Sequence, residues 1–202
     1  MKISVLIEGK TELAFKPHLN KFLKSRLAGN MPKMRFISYD GRIPKKNKLK
    51  RVVENLLNAD RCDAVIALTD VYTGDNDFKD AKDAKKKMAQ WVGHMPKFYP
   101  HVAKHDFEAW LLPYWSVIQQ LAKHNKSRPS AKPEDVNHSK PPSRHLMEIF
   151  QAGQCRKSYN KPRDANRILK GQDILVSAQA CPELKQFLNT IIKCCDESKI
   201  IE

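Results

Sequence analysis

Asp63-Ala64-Val65-Ile66-Ala67-Leu68-Thr69-Asp70 is the stretch that decides the fold. Five apolar residues in a row suit a strand buried on both faces of a parallel sheet, and an acid, Asp70, stands where that strand should end. The same grammar opens the chain, where Ile3-Ser4-Val5-Leu6-Ile7 runs into Glu8. Working outward, Thr11 can cap a helix whose Phe15, Leu19, Phe22, Leu23 and Leu27 follow the 3.6-residue period until Gly29. Pro17 lies inside it, so the first turn is expected to be kinked or separate. Met34 to Ser38 reads as a second strand. Asp75, Asn76 and Asp77 offer caps for a helix carrying Phe78, Ala81, Ala84, Met88 and Trp91 on one stripe. Phe98 to Lys104 is a fourth strand, and Asp106 to Leu112 turns helical before Pro113. Strands alternating with amphipathic helices predict an α/β fold with a mainly parallel sheet flanked by helices.

Three segments follow from the composition along the chain. Residues 1–122 form the α/β core. Residues 123–142 shift to Lys, Ser, Asn and Pro without periodicity and read as a mobile basic loop. Residues 143–202 read as a helical extension: Ser143 caps a helix through Phe150, Pro162 opens one ending at Gly171, and Pro182 opens another with Leu184, Phe187, Leu188, Ile191 and Ile192 at helical spacing.

The 202 residues carry 37 Lys and Arg against 22 Asp and Glu, a formal charge of +15, with 41% hydrophobic residues. That is enough apolar material for a core, and the excess of positive charge points to a polyanionic partner, nucleic acid above all, against the plainer reading of solvated helix faces. The longest apolar run, Ala64 to Leu68, falls far short of the roughly 20 residues of a membrane span. Five cysteines without a Cys-x-x-Cys pair suggest neither a disulfide framework nor a zinc ribbon, which fits a reducing cytoplasm.

In parallel sheets ligands bind beyond the carboxyl ends of the strands, where Glu8 and Asp70 stand. If their strands are neighbours, the two carboxylates reach one hard cation, and Mg²⁺ (or Mn²⁺) takes one or two carboxylates with water and phosphate oxygens. The alternative is that each acid caps the loop or helix after it. Gly9-Lys10-Thr11 ends like a P-loop, but the first Gly of that motif would fall at Ser4, inside the strand, so ATP binding is disfavoured. His101 and His105 lack a third ligand at matching spacing, and ordinary satisfied histidines account for them better than zinc does. Trp110, Tyr114 and Trp115 can stack bases or pack the core, and helical spacing favours the core.

The sequence resembles the TOPRIM domain of topoisomerases, primases and OLD (overcoming-lysogenization-defect) nucleases, through Glu8-Gly9-Lys10-Thr11-Glu12 after the first strand and an acid after a later one. It is more similar to an uncharacterised bacterial TOPRIM-like family often encoded beside AAA-type ATPases in phage-defence loci. The residues carrying that likeness are Asp70-Val71-Tyr72, His105-Asp106-Phe107-Glu108-Ala109-Trp110-Leu111, Tyr159-Asn160-Lys161-Pro162 and Cys181 to Leu188. It implies a compact Rossmann-like core, Mg²⁺ binding and strand cleavage or phosphoryl transfer, with Glu8 and Asp70 as metal-site acids. One departure matters: the Asp-x-Asp pair of TOPRIM would need an Asp where Tyr72 stands, and a phenol with a pKa near 10 is a poor Mg²⁺ ligand. The further ligand then comes from Glu108, Asp75 or Asp77, or is missing.

The function expected is a metal-dependent nuclease or nicking subunit, with an AAA-type ATPase as a partner implied by the resemblance. Glu8, Asp70 and Glu108 are its metal and catalytic acids, Glu108 completing the shell or acting as general base. Lys10, Lys45, Lys46, Lys48, Lys50, Arg51, Lys157 and Lys161 are its nucleic-acid contacts. The rival is a non-catalytic nucleic-acid-binding or ATPase-docking subunit that kept the fold after losing a metal acid.

Overall fold

A computed structural model describes residues 1–71, 77–130, 132–136, 140–153 and 158–202. Four strands, β1 (Lys2–Ile7), β2 (Lys33–Ser38), β3 (Ala64–Val71) and β4 (Phe98–Lys104), form one sheet in the order β2-β1-β3-β4, every pair parallel. The helices are α1 (Lys10–Leu27), α2 (Lys46–Asn58), α3 (Ala81–Val92), α4 (Trp115–Ala122), α5 (Pro142–Ala152), α6 (Lys161–Leu169), α7 (Ile174–Ala180) and α8 (Pro182–Cys195), with a 3-10 segment at Phe107–Tyr114. The expected α/β class with a parallel sheet and a helical C-terminal part is therefore the observed one.

Alternation along the strands divides the interior in two. Ile3, Val5, Ile7, Ala64, Ile66 and Leu68 face α1 and the C-terminal helices, where Phe15, Leu19, Trp110, Phe150, Phe187 and Ile191 complete the larger core. Leu6, Val65, Ala67 and Val102 face α2 and α3 through Leu49, Val53, Ala84 and Met88. Each Val, Leu, Ile, Phe or Met side chain among them taken from water contributes about 1.5–3 kcal/mol. That is why the central strands are apolar throughout: they are covered on both sides. Trp110 stacks on Phe187 with ring centroids 5.9 Å apart, and the indole and phenol tips of Trp115 and Tyr114 donate to the carbonyls of Lys126 and Asp173 at 2.7 and 2.8 Å. All three aromatics serve the core.

Several helix starts differ from the sequence expectation. α1 begins after Gly9 without a side-chain cap, and Thr11 lies buried inside it. Pro17 does not divide α1, because it sits on the exposed side while Phe15, Leu19 and Leu23 anchor the opposite face. The cap of α3 is Asp80, whose side chain accepts from the Asp83 N–H. Asp77 instead pairs with Arg42 at 2.8 Å and with Lys45, whereas Asp75 and Asn76 lie outside the described residues. Ser143 is inside α5 rather than capping it, and its N–H donates to Asp106 Oδ2 at 3.1 Å. β3 extends through Asp70 to Val71 because β4 pairs with it that far. Asp70 is thus in the last turn of the ladder, not beyond it.

The segment between α4 and α5 is tied in where it is described: Lys126 pairs with Glu148 at 2.7 Å, and Glu134 is buried. Gly153, just after α5, lies so close to the end of α4 that a Cβ there would stand 1.8 Å from the Ala122 carbonyl oxygen. Among the described residues no helix is long and apolar enough to cross a membrane.

Candidate functional site

β1 and β3 are neighbours in register, Leu6 opposite Ala67, which carries Glu8 to the level of Thr69. The Thr69 hydroxyl donates to Glu8 Oε1. Asp70 continues the row of Ala64, Ile66 and Leu68 towards α1. The backbone holds this corner firmly: the Ile7 and Glu8 carbonyls accept from Tyr39 and Gly41 at 3.0 and 3.2 Å, and Gly41 adopts φ 120°. Starting α1 right after Gly9 puts Glu12 in the first helical turn, on the same side as Glu8, where the positive helix end favours an acid. From the other direction the chain leaves β4 and enters the 3-10 segment, which places Glu108. Glu8, Glu12, Asp70 and Glu108, together with Lys161 from the start of α6, line one cavity of about 120 Å³.

All four acids are almost wholly buried. Burial pushes Glu8 up to about 7, against the opposing pull of the Thr69 hydroxyl and with a further push from the charge of Glu12. Burial likewise raises Glu12. Asp70 is raised well above the carboxylate range, first by burial and then by Glu8, Glu12, Asp106 and Glu108. Burial and Asp106 push Glu108 up to about 7, with Lys161 pulling the other way. Lys161 sits 3.2 Å from Glu108 Oε1, and burial, which alone would lower it, is outweighed by Glu108 and Asp106, so its pKa is raised. The Tyr159 hydroxyl donates to Glu108 Oε1 at 3.3 Å, and its ring packs on Phe150. Glu8 Oε2 and Asp106 Oδ1 are buried without a hydrogen-bond partner among the described residues. Leaving such an oxygen unmatched costs about 1–3 kcal/mol, more if charged.

This donor set suits a hard cation. Every group is a carboxylate oxygen, repulsion among them would be relieved by positive charge, and Glu8 offers an unused oxygen. Among the described residues no three His, Cys, Asp or Glu side chains converge to enclose a bare ion. Mg²⁺ does not need such a cage, because it keeps much of its water and takes one or two carboxylates.

Glu8, Asp70, Glu108 and Lys161 therefore meet in one place. Lys10 is exposed and does not line the cavity. Lys45 stands at the start of α2 in the pair with Asp77, while Lys46, Lys48, Lys50 and Arg51 lie on the exposed side of α2, also away from the cavity. Lys157 and Tyr72 lie outside the described residues. His101 and His105 diverge: His101 Nε2 meets Thr190 Oγ1 at 2.9 Å and His105 Nε2 meets the Glu134 carbonyl at 3.0 Å. Burial pushes His101 down to about 3, so it is neutral. Sequence reasoning missed Glu12, Asp106 and Tyr159. The four-residue spacing from Glu8 to Glu12 across a strand-to-helix turn was the available signal for the first.

A family model described as "Domain of unknown function (DUF4276)" matches residues 7–192. No curated protein matches the chain. Among solved structures, the C-terminal region of the Burkholderia pseudomallei OLD protein is similar over 94% of this chain and 96% of that one, at 11% identity and a TM-score of 0.54. The C-terminal region of the Xanthomonas campestris pv. campestris OLD protein aligns over 97% of this chain and 95% of that one, at 13% identity and a TM-score of 0.48. At this identity the likeness to the first is one of fold.

Proposed function

The chain belongs to the DUF4276 family, and on that premise we propose that it is a metal-dependent phosphodiester-cleaving protein acting on nucleic acid. The observation that carries the reading is the buried Glu8 Oε2, unmatched by any donor among the described residues, in a cavity it shares with Asp70, Glu12 and Glu108. Burying that much anionic oxygen is unfavourable unless a cation offsets it. Glu8 and Asp70 would hold Mg²⁺ or Mn²⁺, and Glu12 and Glu108 line the same cavity. When bound, such an ion neutralises charge developing on a phosphoryl oxygen and lowers the pKa of a water.

The chain's own groups then divide the remaining work. Glu108, with a pKa near neutrality, is suited to take a proton from the attacking water, and Tyr159 and Lys161 fix its carboxylate. Lys161 also presents positive charge to a phosphate entering the cavity. The lysines and arginine of α2 and the +15 charge supply longer-range attraction for a polyanion. The resemblance to a TOPRIM-like family often encoded beside AAA-type ATPases in phage-defence loci extends the proposal to phage defence alongside such an ATPase.

The test is nicking or degradation of DNA and RNA with Mg²⁺ or Mn²⁺, in the wild type and in Glu8→Gln and Asp70→Asn. Activity that needs the metal and disappears in both folded variants supports the proposal, and full activity in either refutes it. A non-catalytic role is the second reading, favoured by the absence of three converging ligands among the described residues. Nucleic-acid binding indifferent to EDTA, with no cleavage under either metal, would select it.

A further inference from the structure

Arg42, Lys45 and Asp77 form a charged cluster on the shoulder of the acidic cavity. Gly41 lines that cavity and its N–H donates to the Glu8 carbonyl at 3.2 Å, so Arg42, the next residue, leaves from the rim. Its charge reaches Glu8, whose pKa it pulls down against the push of burial. Lys45, three residues further on, caps the start of α2. Asp77 arrives from the chain beyond β3, and Lys87 of α3 holds it in place by donating to its carbonyl at 2.7 Å.

The cluster is built to hold an anion. Arg42 Nη1, at 2.8 Å, and Lys45 Nζ both meet one oxygen of Asp77, Oδ2. The hydrogen bond from Lys45, with the charges of Lys45, Arg42 and Lys87, keeps the Asp77 carboxyl below its usual range, so it is ionised at neutral pH. Two cations on a single carboxylate oxygen are poorly matched, whereas a phosphodiester brings two unesterified oxygens to the same pair. The Arg42, Lys45 and Asp77 side chains are 33%, 37% and 29% exposed, so a ligand can reach them. Ion pairs this open to solvent contribute little to stability, which leaves the Asp77 carboxylate displaceable.

We infer that Arg42 and Lys45 form a seat for one backbone phosphate of a nucleic-acid strand at the rim of the acidic cavity, and that Asp77 occupies this seat until the strand displaces it. Asp77 is thus an internal competitor that lowers the affinity for every strand. The inference rests on the nucleic-acid reading of the acidic cavity and not on cleavage.

Binding of a labelled single-stranded oligonucleotide in EDTA, which stops metal-dependent cutting, tests it. Asp77→Asn should tighten binding about threefold to fivefold, the scale of one displaced, partly exposed ion pair. Asp60→Asn changes the charge equally at the other end of the strands, where Asp60 pairs with Arg35 at 2.7 Å and its carbonyl accepts from Lys2 Nζ. That end lies about 20 Å away along β1, beyond the reach of screened charges at physiological salt, so affinity there should not change. In protein carrying Arg42→Gln and Lys45→Gln, the gain from Asp77→Asn should vanish, and the slope of log K against log salt should fall by about 0.7, one phosphate contact of a single strand. No gain in Asp77→Asn, an equal gain in Asp60→Asn, or a gain that persists without Arg42 and Lys45 overturns the inference, whether or not the protein cuts. A gain that needs both cations, in protein that cuts nothing under Mg²⁺ or Mn²⁺, sustains the phosphate seat and sinks the catalytic reading instead.

Discussion

Glu134 and Glu8 are both buried glutamates pushed up to about 7, in each case first by burial, yet their surroundings are opposite. Glu134 is saturated by its own protein: the Glu183 N–H at the start of α8 and the Trp110 indole at 3.3 Å both donate to it. Glu8 has the Thr69 hydroxyl on one oxygen and no donor among the described residues on the other, with the charge of Glu12 pushing its pKa up and Arg42 and the Asp70 backbone pulling it down. A shared pKa displacement therefore does not mean a shared role. The first carboxylate joins secondary-structure elements, and the second keeps an oxygen without a donor among the described residues, as the proposed metal role requires.

The sharpest way to break this contrast is chemical. Glu8→Gln should reduce metal-dependent cleavage by more than about a hundredfold, beyond what loss of a group merely supporting a metal ligand costs, while Glu134→Gln should leave most of it. Comparable losses in both would erase the distinction.

Stability gives the next test, and the sign should differ. Glu134→Ala strips the partner from the Glu183 and Trp110 N–H groups and should cost about 1–3 kcal/mol in urea unfolding. Glu8→Gln removes a buried charge from metal-free protein and should raise its midpoint.

Titration sharpens the comparison further. An acid whose pKa is raised on folding, as Glu8 is from an ordinary 4.5 to about 7, keeps a proton that the unfolded chain has released. Metal-free protein should thus lose stability as the pH climbs from about 4.5 to 7. Mn²⁺ should recover the part due to Glu8 and Asp70, more at pH 8 than at pH 5, since the ion competes with protons, and leave the part due to Glu134 in place. Thermal melts across pH, with and without Mn²⁺, would show it, and recovery independent of pH would contradict it.

The smallest effect belongs to Thr69→Val. Losing the hydroxyl that lowers the Glu8 pKa should raise it further and cost about 1 kcal/mol, with Mn²⁺ affinity, measured calorimetrically, falling a few-fold.

The strands were readable because central parallel strands must be apolar on both faces, so Ile3 to Ile7 and Ala64 to Leu68 declare themselves without tertiary information. β4 was placed at Phe98 to Lys104 despite Pro100, and the structure has it there. What stayed hidden was set by distant partners. β3 runs past Asp70 because β4 hydrogen-bonds it, which no local pattern reveals. Helix starts at Gly9, Asp80 and Pro141 were misplaced because neighbouring Thr, Asp and Ser residues are equally good caps in isolation, and packing chose among them. Within the site, Glu8, Asp70 and Glu108 came from strand ends and resemblance. Glu12 carries no local signal of its role beyond its spacing from Glu8, since a glutamate in a first helical turn ordinarily faces water. Most of the basic residues of α2 were placed by charge alone, and charge does not say which way a helix surface turns.

The tight seat of Gly153 against the Ala122 carbonyl has a remote consequence. α5 carries Phe150, whose ring supports Tyr159, and the Tyr159 hydroxyl reaches Glu108. A single added methyl group at position 153 would have to wedge α4 from α5, and the displacement would arrive at the acid cluster as a shifted carboxylate. The position is a structural keystone whose constraint is purely steric, so variants there should disturb the chemistry without touching any residue that performs it.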